Sequence, residues 1–423
     1  MKVSKIRVTP IAFRDPPLLN AAGIHEPYAL RSIIEVETDE CLVGLGESYG
    51  DAAALDVIRT VADRLVGLDA YDLNGLRRTV EAAVAGLPGA MRGAELAPGS
   101  HPSKRVANGL SAFELPLLDL QAQRAGVPLH ALLGGAVRRE VPFCAYLFFK
   151  YARHIEPDER PDTWGEALTP EQIVAQARRM ISAHGFSSIK LKAGALDSEI
   201  EVSSIEALAK AFPGLPLRID PNGAWSMETA VRGAERLGPL VQYYEDPVDG
   251  LEAMAELHRR TGLALATNMV VTDFAQLRAS IALDAVQIVL SDHHYWGGLR
   301  ESQALAAMCR TFGLGLSMHS NSHLGISLMA MAHLAAATPN LTFDCDTHYP
   351  WVEDADEVIA GGKVPIVGGC VSVGDTPGLG LTLDQARLAR GAAMFERIAI
   401  RTRDDEAQMR KYDPMFSATK PRY

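Results

Sequence analysis

The chain of 423 residues is long for a single domain and leaves room for a large core and a second, smaller unit. Hydrophobic residues make up 48% of it and charged residues 22%, with no run of about 18 apolar residues, which favours a soluble globular protein over a membrane or disordered one. The net charge of −11 leaves no basic excess to neutralise phosphates and argues against a nucleic-acid partner.

The five cysteines are scattered and form no CxxC pair, so neither a zinc site nor a disulfide framework is predicted. The sequence does not open with the charged and apolar regions of a secretory signal. A reducing compartment fits both observations. We therefore expect a cytoplasmic protein with no membrane partner.

The first 60 residues alternate apolar and polar side chains, which predicts a small antiparallel sheet. Between its strands, residues 18–27 are too many for a tight turn, and such a segment is most often a surface loop. From 51 to 133 apolar residues recur at helical spacing, interrupted by a loop rich in Gly and Pro at 86–102. Together these elements predict an α+β domain over residues 1–138.

A second pattern begins with an apolar strand at 141–149 and a polar insertion at 150–166. Thr169-Pro-Glu-Gln172 then predicts the start of a helix through a capping box. From there a polar residue ends each apolar run, at steps of 28, 25, 23, 24 and 27 residues; these residues are Lys192, Asp220, Glu245, Asn268, Asp292 and His319. A strand of about five residues, a helix of about twelve and two loops fill such a step.

This repeat predicts a (β/α) barrel over residues 139–375, whose active site lies at the C-terminal ends of the strands. Asp220, Glu245 and Asn268 would then offer three oxygen ligands, which suits a hard cation such as Mg²⁺ better than zinc. Glu252 is a weaker substitute for Glu245, because it would have to reach the metal from a loop.

Two groups of candidate bases flank these ligands. Lys190 and Lys192 point to the same face of their strand, so that one can bind a carboxylate while the other acts as a base. As a base, Lys192 needs a pKa well below the usual value of about 10.4, which a nearby cation and Lys190 would cause. Asp292 and His319 follow neighbouring strands, and a hydrogen bond between them would fix the imidazole tautomer and raise its basicity.

Four further histidines are assigned structural roles, since a lone histidine is more often a satisfied core residue: His293, His294, His323 and His333. A divalent cation between bases on opposite sides of a barrel mouth is suited to removing a proton next to a carboxylate. An anionic substrate is compatible with the negative net charge, because local cations decide its binding.

The order Lys-x-Lys, Asp, Glu, Asn, Asp, His resembles that of the enolase superfamily. Four stretches are similar to its glucarate dehydratase subgroup, of the mandelate racemase/muconate lactonizing enzyme type: Asp-Pro-Asn-Gly-Ala-Trp225, Ala-Thr-Asn268-Met, Ser-Asp292-His-His-Tyr-Trp296 and His319-Ser-Asn321-Ser-His323. The resemblance implies a (β/α)7β TIM-like barrel with an α+β capping domain, to which the C-terminal segment 376–423 returns.

The resemblance also implies a set of substrate-binding residues: Asn20, His25, Tyr146, Lys190, Asn222, Asn268, His319, Ser320, Asn321, Asp346, His348 and Lys420. One departure concerns the C-terminal end. The relatives carry an Asn-Lys-Arg-Pro stretch whose Arg reaches the distal carboxylate of the substrate, whereas this chain reads Ala418-Thr-Lys420-Pro-Arg422-Tyr423. Either Lys420 or Arg422 is a candidate for that role.

The function implied is that of an acid-sugar dehydratase, with D-glucarate converted to 5-keto-4-deoxyglucarate and water. His319 would abstract the proton and help the hydroxyl depart, while Lys192 would serve the epimeric configuration. The alternatives are a racemase or epimerase, which the same two bases could support, and a dehydratase of another acid sugar, either a different aldarate or a monoacid. A non-catalytic ligand-binding relative is a third possibility. We expect a homo-oligomer.

Overall fold

The computed structural model describes residues 1–87, 104–156 and 160–423. Apart from its first two residues, the loop predicted at 86–102 lies outside these ranges. In the described part of the chain, no helix combines the length and the apolar character needed to cross a membrane.

The N-terminal part contains the predicted antiparallel sheet, with strand order β1-β4-β5. Its strands are β1 (Val3–Arg14), β4 (Tyr28–Thr38) and β5 (Val43–Tyr49), and a short hairpin of β2 (Leu19–Asn20) and β3 (Gly23–Ile24) lies between the first two. The helices that follow are α1 (Ala52–Leu65), α2 (Leu73–Ala85), α3 (Arg105–Ala125) and α4 (Leu129–Leu132).

Strand β4 is buried on both faces because it lies in the centre of this sheet. Ile34 and Val36 belong to one core cluster with Val57 and Phe113 of the helices, while Ile33 belongs to the main core that continues into the barrel. Alternating apolar residues on a central strand thus connect the two halves of the molecule.

The second part is a parallel sheet of seven strands in sequential order, preceded by the short strand β6 (Glu140–Pro142). The seven are β7 (Ala145–Phe148), β8 (Ile189–Lys192), β9 (Leu217–Asp220), β10 (Val241–Glu245), β11 (Leu265–Thr267), β12 (Ile288–Ser291) and β13 (Gly315–Met318). An eighth segment, residues 343–346, closes the barrel. Its backbone bonds to Leu316 and Met318 on one side and to Pro142 and Cys144 on the other.

Helices connect these strands as the repeat predicts: α5 (Pro170–His184), α6 (Ser198–Ala211), α7 (Met227–Leu237), α8 (Leu251–Thr261), α9 (Phe274–Leu283), α10 (His293–Trp296), α11 (Leu299–Phe312) and α12 (Gly325–Ala336). The predicted capping box is present at α5, where the Thr169 side chain accepts from the Gln172 backbone and the Gln172 side chain accepts from that of Thr169. The predicted TIM-like fold with its capping domain is confirmed.

The remaining elements return toward the N-terminal sheet. They are β14 (Cys370–Ser372), which pairs with β6, and the helices α13 (Gln385–Arg397) and α14 (Asp405–Arg410). Phe395 of α13 packs with Ala12 and Leu30 of the sheet, and a Cβ at Gly391 would lie 3.2 Å from Ile11. The exact domain limits at 138 and 375 stay predictions.

Candidate active site

The polar residues predicted from the strand spacing lie together at one end of the barrel, because parallel strands all finish at the same edge. None of these six residues exposes more than 8% of its surface, and neither do Lys190 and Asp346, which lie beside them. The eight are Lys190 and Lys192 on β8, Asp220 and Glu245 at the ends of β9 and β10, Asn268, Asp292 and His319 directly after β11, β12 and β13, and Asp346 at the end of the eighth segment.

Lys190 lies at the centre of three carboxylates. Its Nζ is 2.6 Å from Glu245 Oε1, 2.7 Å from Asp346 Oδ2 and 3.6 Å from Asp220 Oδ2, and it stands 4.7 Å from the ring centre of Tyr146. Burial alone would lower the pKa of Lys190, but the charges of Asp346 and Glu245 outweigh burial and hold it well above the ordinary value. Lys190 therefore stays charged, which suits a carboxylate clamp and not a base.

Lys192 is paired differently. Its Nζ donates to Asp220 Oδ2 at 2.7 Å, and 7% of the residue is exposed. Although burial raises the pKa of Asp220, the charges of Lys192 and Lys190 lower it to about 2, so this carboxylate is ionised at neutral pH. Lys192 thus lies beside an ionised candidate metal ligand.

The candidate metal ligands contain oxygen atoms that the protein leaves unsatisfied. Among the described residues, Glu245 Oε2 and Asn268 Oδ1 are buried and accept no hydrogen bond. Buried oxygens of this kind are costly unless a ligand occupies them. Together with the ionised Asp220, they form an oxygen-only donor set that fits Mg²⁺.

Asp246 is a further carboxylate here that the sequence interpretation did not single out. One of its oxygens lies within 4.8 Å of carboxylate oxygens from Asp220 and Glu245. Its Oδ2 accepts from the backbone N–H of Asn268 at 2.9 Å, and its Oδ1 accepts from the Thr267 hydroxyl. Asp246 therefore holds the Asn268 segment in place. The sequence signal that could have identified it is the pair of adjacent acids, Glu245 and Asp246, at the end of β10.

Glu252 is not part of this cluster. It lies in the first turn of α8 and is exposed. The suggestion that Glu252 could replace Glu245 is wrong, because the helix carries it out to solvent whereas Glu245 is fully buried at its strand end.

On the other side of the barrel mouth, Asp292 Oδ2 lies 3.0 Å from His319 Nδ1. Burial raises the pKa of Asp292, but the neighbouring His294 and His319 outweigh it and keep the carboxyl well below its ordinary pKa. An ionised carboxylate can only accept, so His319 carries its proton on Nδ1. Its Nε2 lone pair is then available as a base, and 8% of the residue is exposed.

Loop 15–27 lies over this site. Its residues 17–25 are buried, so the segment is not the surface loop that such stretches usually form. The substrate-binding roles that the resemblance implies for Asn20 and His25 stay predictions. The backbone N–H of Leu19 donates to Phe149 at the end of the first barrel strand, at 2.7 Å. His25 bonds to Asp15 through Nδ1 at 3.0 Å, and its ring stacks 6.5 Å from that of His348. Backbone bonding to the barrel, which no local pattern reveals, draws the loop inward.

His348 and Ser320 form the adjoining wall of the site. Ser320 Oγ is 3.1 Å from His348 Nδ1, and the His348 ring lies 4.8 Å from that of Tyr146. Burial lowers the pKa of His348 well below its ordinary value, and the neighbouring His25 adds to this. A neutral His348 can donate or accept at a substrate hydroxyl.

Three amides of the predicted substrate set already have protein partners. Asn20 Nδ2 donates to Asp405 at 2.7 Å, and Asn321 Nδ2 donates to the hydroxyl of Tyr49 at 3.0 Å. The backbone N–H of Asn222 donates to Asp220 Oδ1 at 3.1 Å, and its side chain donates to Met269 Sδ. Asn20 and Asn321 are thus held by the C-terminal segment and the N-terminal sheet.

The C-terminal tail reaches the barrel mouth. A Cβ at Gly223, next to Asn222, would lie 3.4 Å from Lys420 Nζ. Burial lowers the pKa of Lys420, and the charges of Asp249 and Asp246 oppose that effect. Arg422 instead stacks its guanidinium 4.1 Å from the ring centre of Phe416, although its Nη1 is buried without a partner among the described residues.

The family model described as mandelate racemase / muconate lactonizing enzyme, N-terminal domain, matches residues 6–134, and the model described as enolase C-terminal domain-like matches residues 172–387. A probable glucarate dehydratase from Streptomyces coelicolor is 47% identical over 425 residues, which cover 98% of this chain and 97% of that protein. The chain belongs to the enolase superfamily. The resemblance inferred from the motifs is confirmed.

Solved structures of superfamily members match over the whole chain. An enolase from Pseudomonas fluorescens Pf0-1 with bound magnesium, potassium and tartrate is 64% identical, with a TM-score of 0.98 and coverage of 100% of this chain and 99% of that chain. An enolase from Thermobispora bispora complexed with magnesium and formate is 50% identical, with a TM-score of 0.96 and coverage of 100% of both chains. The Mg²⁺ prediction agrees with the magnesium in both.

Proposed function

We propose that this superfamily member is an acid-sugar dehydratase that converts D-glucarate to 5-keto-4-deoxyglucarate and water. The observation that carries the proposal is the pair of candidate bases, Lys192 and His319, at one buried mouth that also holds the unsatisfied oxygens of Glu245 and Asn268. The similarity to a probable glucarate dehydratase, and the tartrate bound in a relative, support a hydroxylated dicarboxylate as substrate.

In this proposal, Asp220, Glu245 and Asn268 would hold Mg²⁺, which supplies positive charge beside the substrate carboxylate and lowers the cost of charge that develops there. Lys190, whose pKa is held high by the surrounding carboxylates, binds and orients the same end of the substrate. Tyr146, His348 and Ser320, together with loop 15–27, bound the space in which the hydroxyl groups lie.

His319 performs the proton transfers. Its Nε2 removes the proton α to the carboxylate, and the electron pair of the broken C–H bond forms a C=C bond as the β C–O bond breaks. The imidazolium, stabilised by Asp292 at 3.0 Å, returns the proton to the departing hydroxide, which leaves as water. The enol product then tautomerises to the keto acid. Lys192 serves substrates of the opposite configuration.

The test is a panel of purified diacid and monoacid sugars, with water loss measured through formation of the keto acid and α-proton exchange measured in D₂O. We expect dehydration of D-glucarate. Exchange or epimerisation without water loss would indicate the second candidate, a racemase or epimerase, which the two bases and a hydrophobic dipeptide epimerase 24% identical to this chain support. If the protein turns over no sugar of the panel, the third possibility, a non-catalytic ligand-binding protein, is favoured. The homo-oligomeric state and cytoplasmic location stay predictions.

Lys420 is proposed to bind the distal carboxylate, because its ammonium lies at the barrel mouth whereas Arg422 stacks on Phe416. Lys420→Met should raise KM for a diacid by roughly tenfold or more, the usual effect of losing a charge-assisted hydrogen bond. The KM for a monoacid sugar should change little. Arg422→Met is the matched variant; if it shows the diacid-specific loss and Lys420→Met does not, the assignment belongs to Arg422.

A further inference from the structure

We propose that His294 is a positioning residue for the Asp292–His319 pair, held by Arg31 of the N-terminal sheet in the tautomer that carries its proton on Nδ1. In that tautomer His294 donates a hydrogen bond to Asp292 Oδ1, and Asp292 Oδ2 stays available to accept from His319. The inference rests on the proposed function for its kinetic consequence, but its structural part is tested without turnover. His294 thereby gains a role beyond the structural one assigned from sequence.

The tautomer follows from the partners of the ring. His294 Nε2 lies 2.9 Å from Arg31 Nη2 and 3.1 Å from Ser327 Oγ, while its Nδ1 lies 2.8 Å from Asp292 Oδ1. A guanidinium has no acceptor atom, so Nε2 must accept. Nδ1 therefore carries the single proton of a neutral ring and donates it to the carboxylate.

Asp292 consequently has a fixed orientation. Its Oδ1 accepts from the backbone N–H of His294 at 2.9 Å, because Asp292 is the N-cap of α10, and also from the ring Nδ1 of His294 at 2.8 Å. Its Oδ2 faces His319 Nδ1 at 3.0 Å. With one oxygen held twice, the carboxylate cannot rotate freely, and the other oxygen holds the His319 imidazole with its Nε2 toward the substrate space.

Arg31 is itself fixed by the N-terminal sheet. Its Nε donates to Glu47 Oε1 at 2.9 Å across β4 and β5, and its guanidinium lies 5.1 Å from the ring centre of Tyr49. Glu47 also accepts from the backbone N–H groups of Leu324 and Ser327, both at 2.8 Å, at the start of α12. Arg31 and Glu47 each expose 1% of their surface.

A continuous chain of bonded groups thus runs from Glu47 through Arg31, His294 and Asp292 to His319. A histidine that served only packing would not need its two nitrogens joined to the candidate catalytic carboxylate on one side and to a buried cation on the other. The ligand atoms of Asp292, His293 and His294 lie within 4.8 Å of one another, but His294 has no free lone pair for a metal in this tautomer, because Nδ1 carries the proton and Nε2 accepts from Arg31.

The first test reads the tautomer directly in the wild-type protein. With ¹⁵N-labelled histidine, long-range proton–nitrogen correlation spectra at pH 7 distinguish protonated from bare ring nitrogens. The His294 signals are assigned by their loss in His294→Asn. We expect a protonated Nδ1 and a bare Nε2. A proton on Nε2, alone or with one on Nδ1, would overturn the proposal whatever the enzyme's substrate.

The second test compares two substitutions that separate hydrogen bonding from packing. His294→Asn keeps a side-chain N–H near the position of Nδ1, whereas His294→Phe keeps the ring shape without any donor. In the Phe variant, Asp292 Oδ1 loses the ring donor, so the carboxylate can turn away from His319 and the His319 signals should change from pure Nδ1–H to a mixture of tautomers. The Asn variant should keep the wild-type pattern. Pure Nδ1–H at His319 in the Phe variant would contradict the proposal.

The kinetic readout is the ratio of α-proton exchange between the two substrate epimers. His294→Phe should lower exchange on the His319 side by roughly 10–100-fold relative to the Lys192 side, the usual effect of removing a hydrogen-bond partner behind a functional group. His294→Asn should retain most of the ratio. The reverse order, with Phe the better replacement, would assign His294 to packing. If the wild type exchanges neither epimer, the proposed function fails, and the tautomer measurements still decide the positioning role.

Discussion

A His319→Asn variant should dehydrate D-glucarate about 10²–10⁴-fold more slowly than the wild-type protein, since one group is assigned both the proton removal and the assistance to the leaving hydroxide. The amide nitrogen of Asn can still donate to Asp292, so the loss should come from the missing base and not from a disrupted pair. The measurement is kcat for keto-acid formation, together with exchange of the α-proton in D₂O for both epimers.

The matched control is His258→Asn, and Lys192→Ala is the complementary variant for the other candidate base. His258 bonds to the Leu263 carbonyl at 2.7 Å outside the barrel mouth, so its replacement should leave kcat unchanged. Lys192→Ala should remove exchange from the opposite epimer. If His319→Asn dehydrates D-glucarate at nearly the wild-type rate, the Asp292–His319 pair is structural and Lys192 alone must carry the chemistry.

Removal of divalent cations with EDTA should abolish activity, and Mg²⁺ should restore it. The reason is the oxygen-only donor set of Asp220, Glu245 and Asn268, two of whose buried oxygens accept no hydrogen bond from the residues that the structure describes. Glu245→Gln should weaken Mg²⁺ binding to the apoprotein, measured by calorimetry. Full activity after rigorous chelation would disprove the metal assignment.

Glu252→Gln is the control for Glu245→Gln, because it removes the same charge from the exposed start of α8 and should leave Mg²⁺ affinity unchanged. Asn268→Asp tests the third ligand. The added negative charge should keep or tighten Mg²⁺ binding, yet place a fourth carboxylate beside Asp220, Glu245 and Asp246 and lower turnover. A fully active Asn268→Asp enzyme would show that the Asn268 amide is shared with the relatives but is not required for catalysis.

The sequence by itself determined the barrel and its repeat. Apolar runs that end in Lys192, Asp220 or Glu245 at nearly constant steps reflect hydrogen bonds and burial within each strand and helix, and such local periodicities can be read without a structure. The capping box at Thr169 is equally local. The collection of these residues at one edge follows from the parallel order of the strands alone.

Only the tertiary structure decided which side chains meet. Lys190 bonds to Asp346, 156 residues away, and His294 lies 2.9 Å from Arg31, 263 residues away. The burial of loop 15–27 and the position of Lys420 depend in the same way on distant segments. Periodicity specifies the face on which a residue lies, whereas its partner is set by the packing of elements far apart in the chain. Those long-range contacts keep Lys190 charged and determine how Asp292 presents His319 to the substrate.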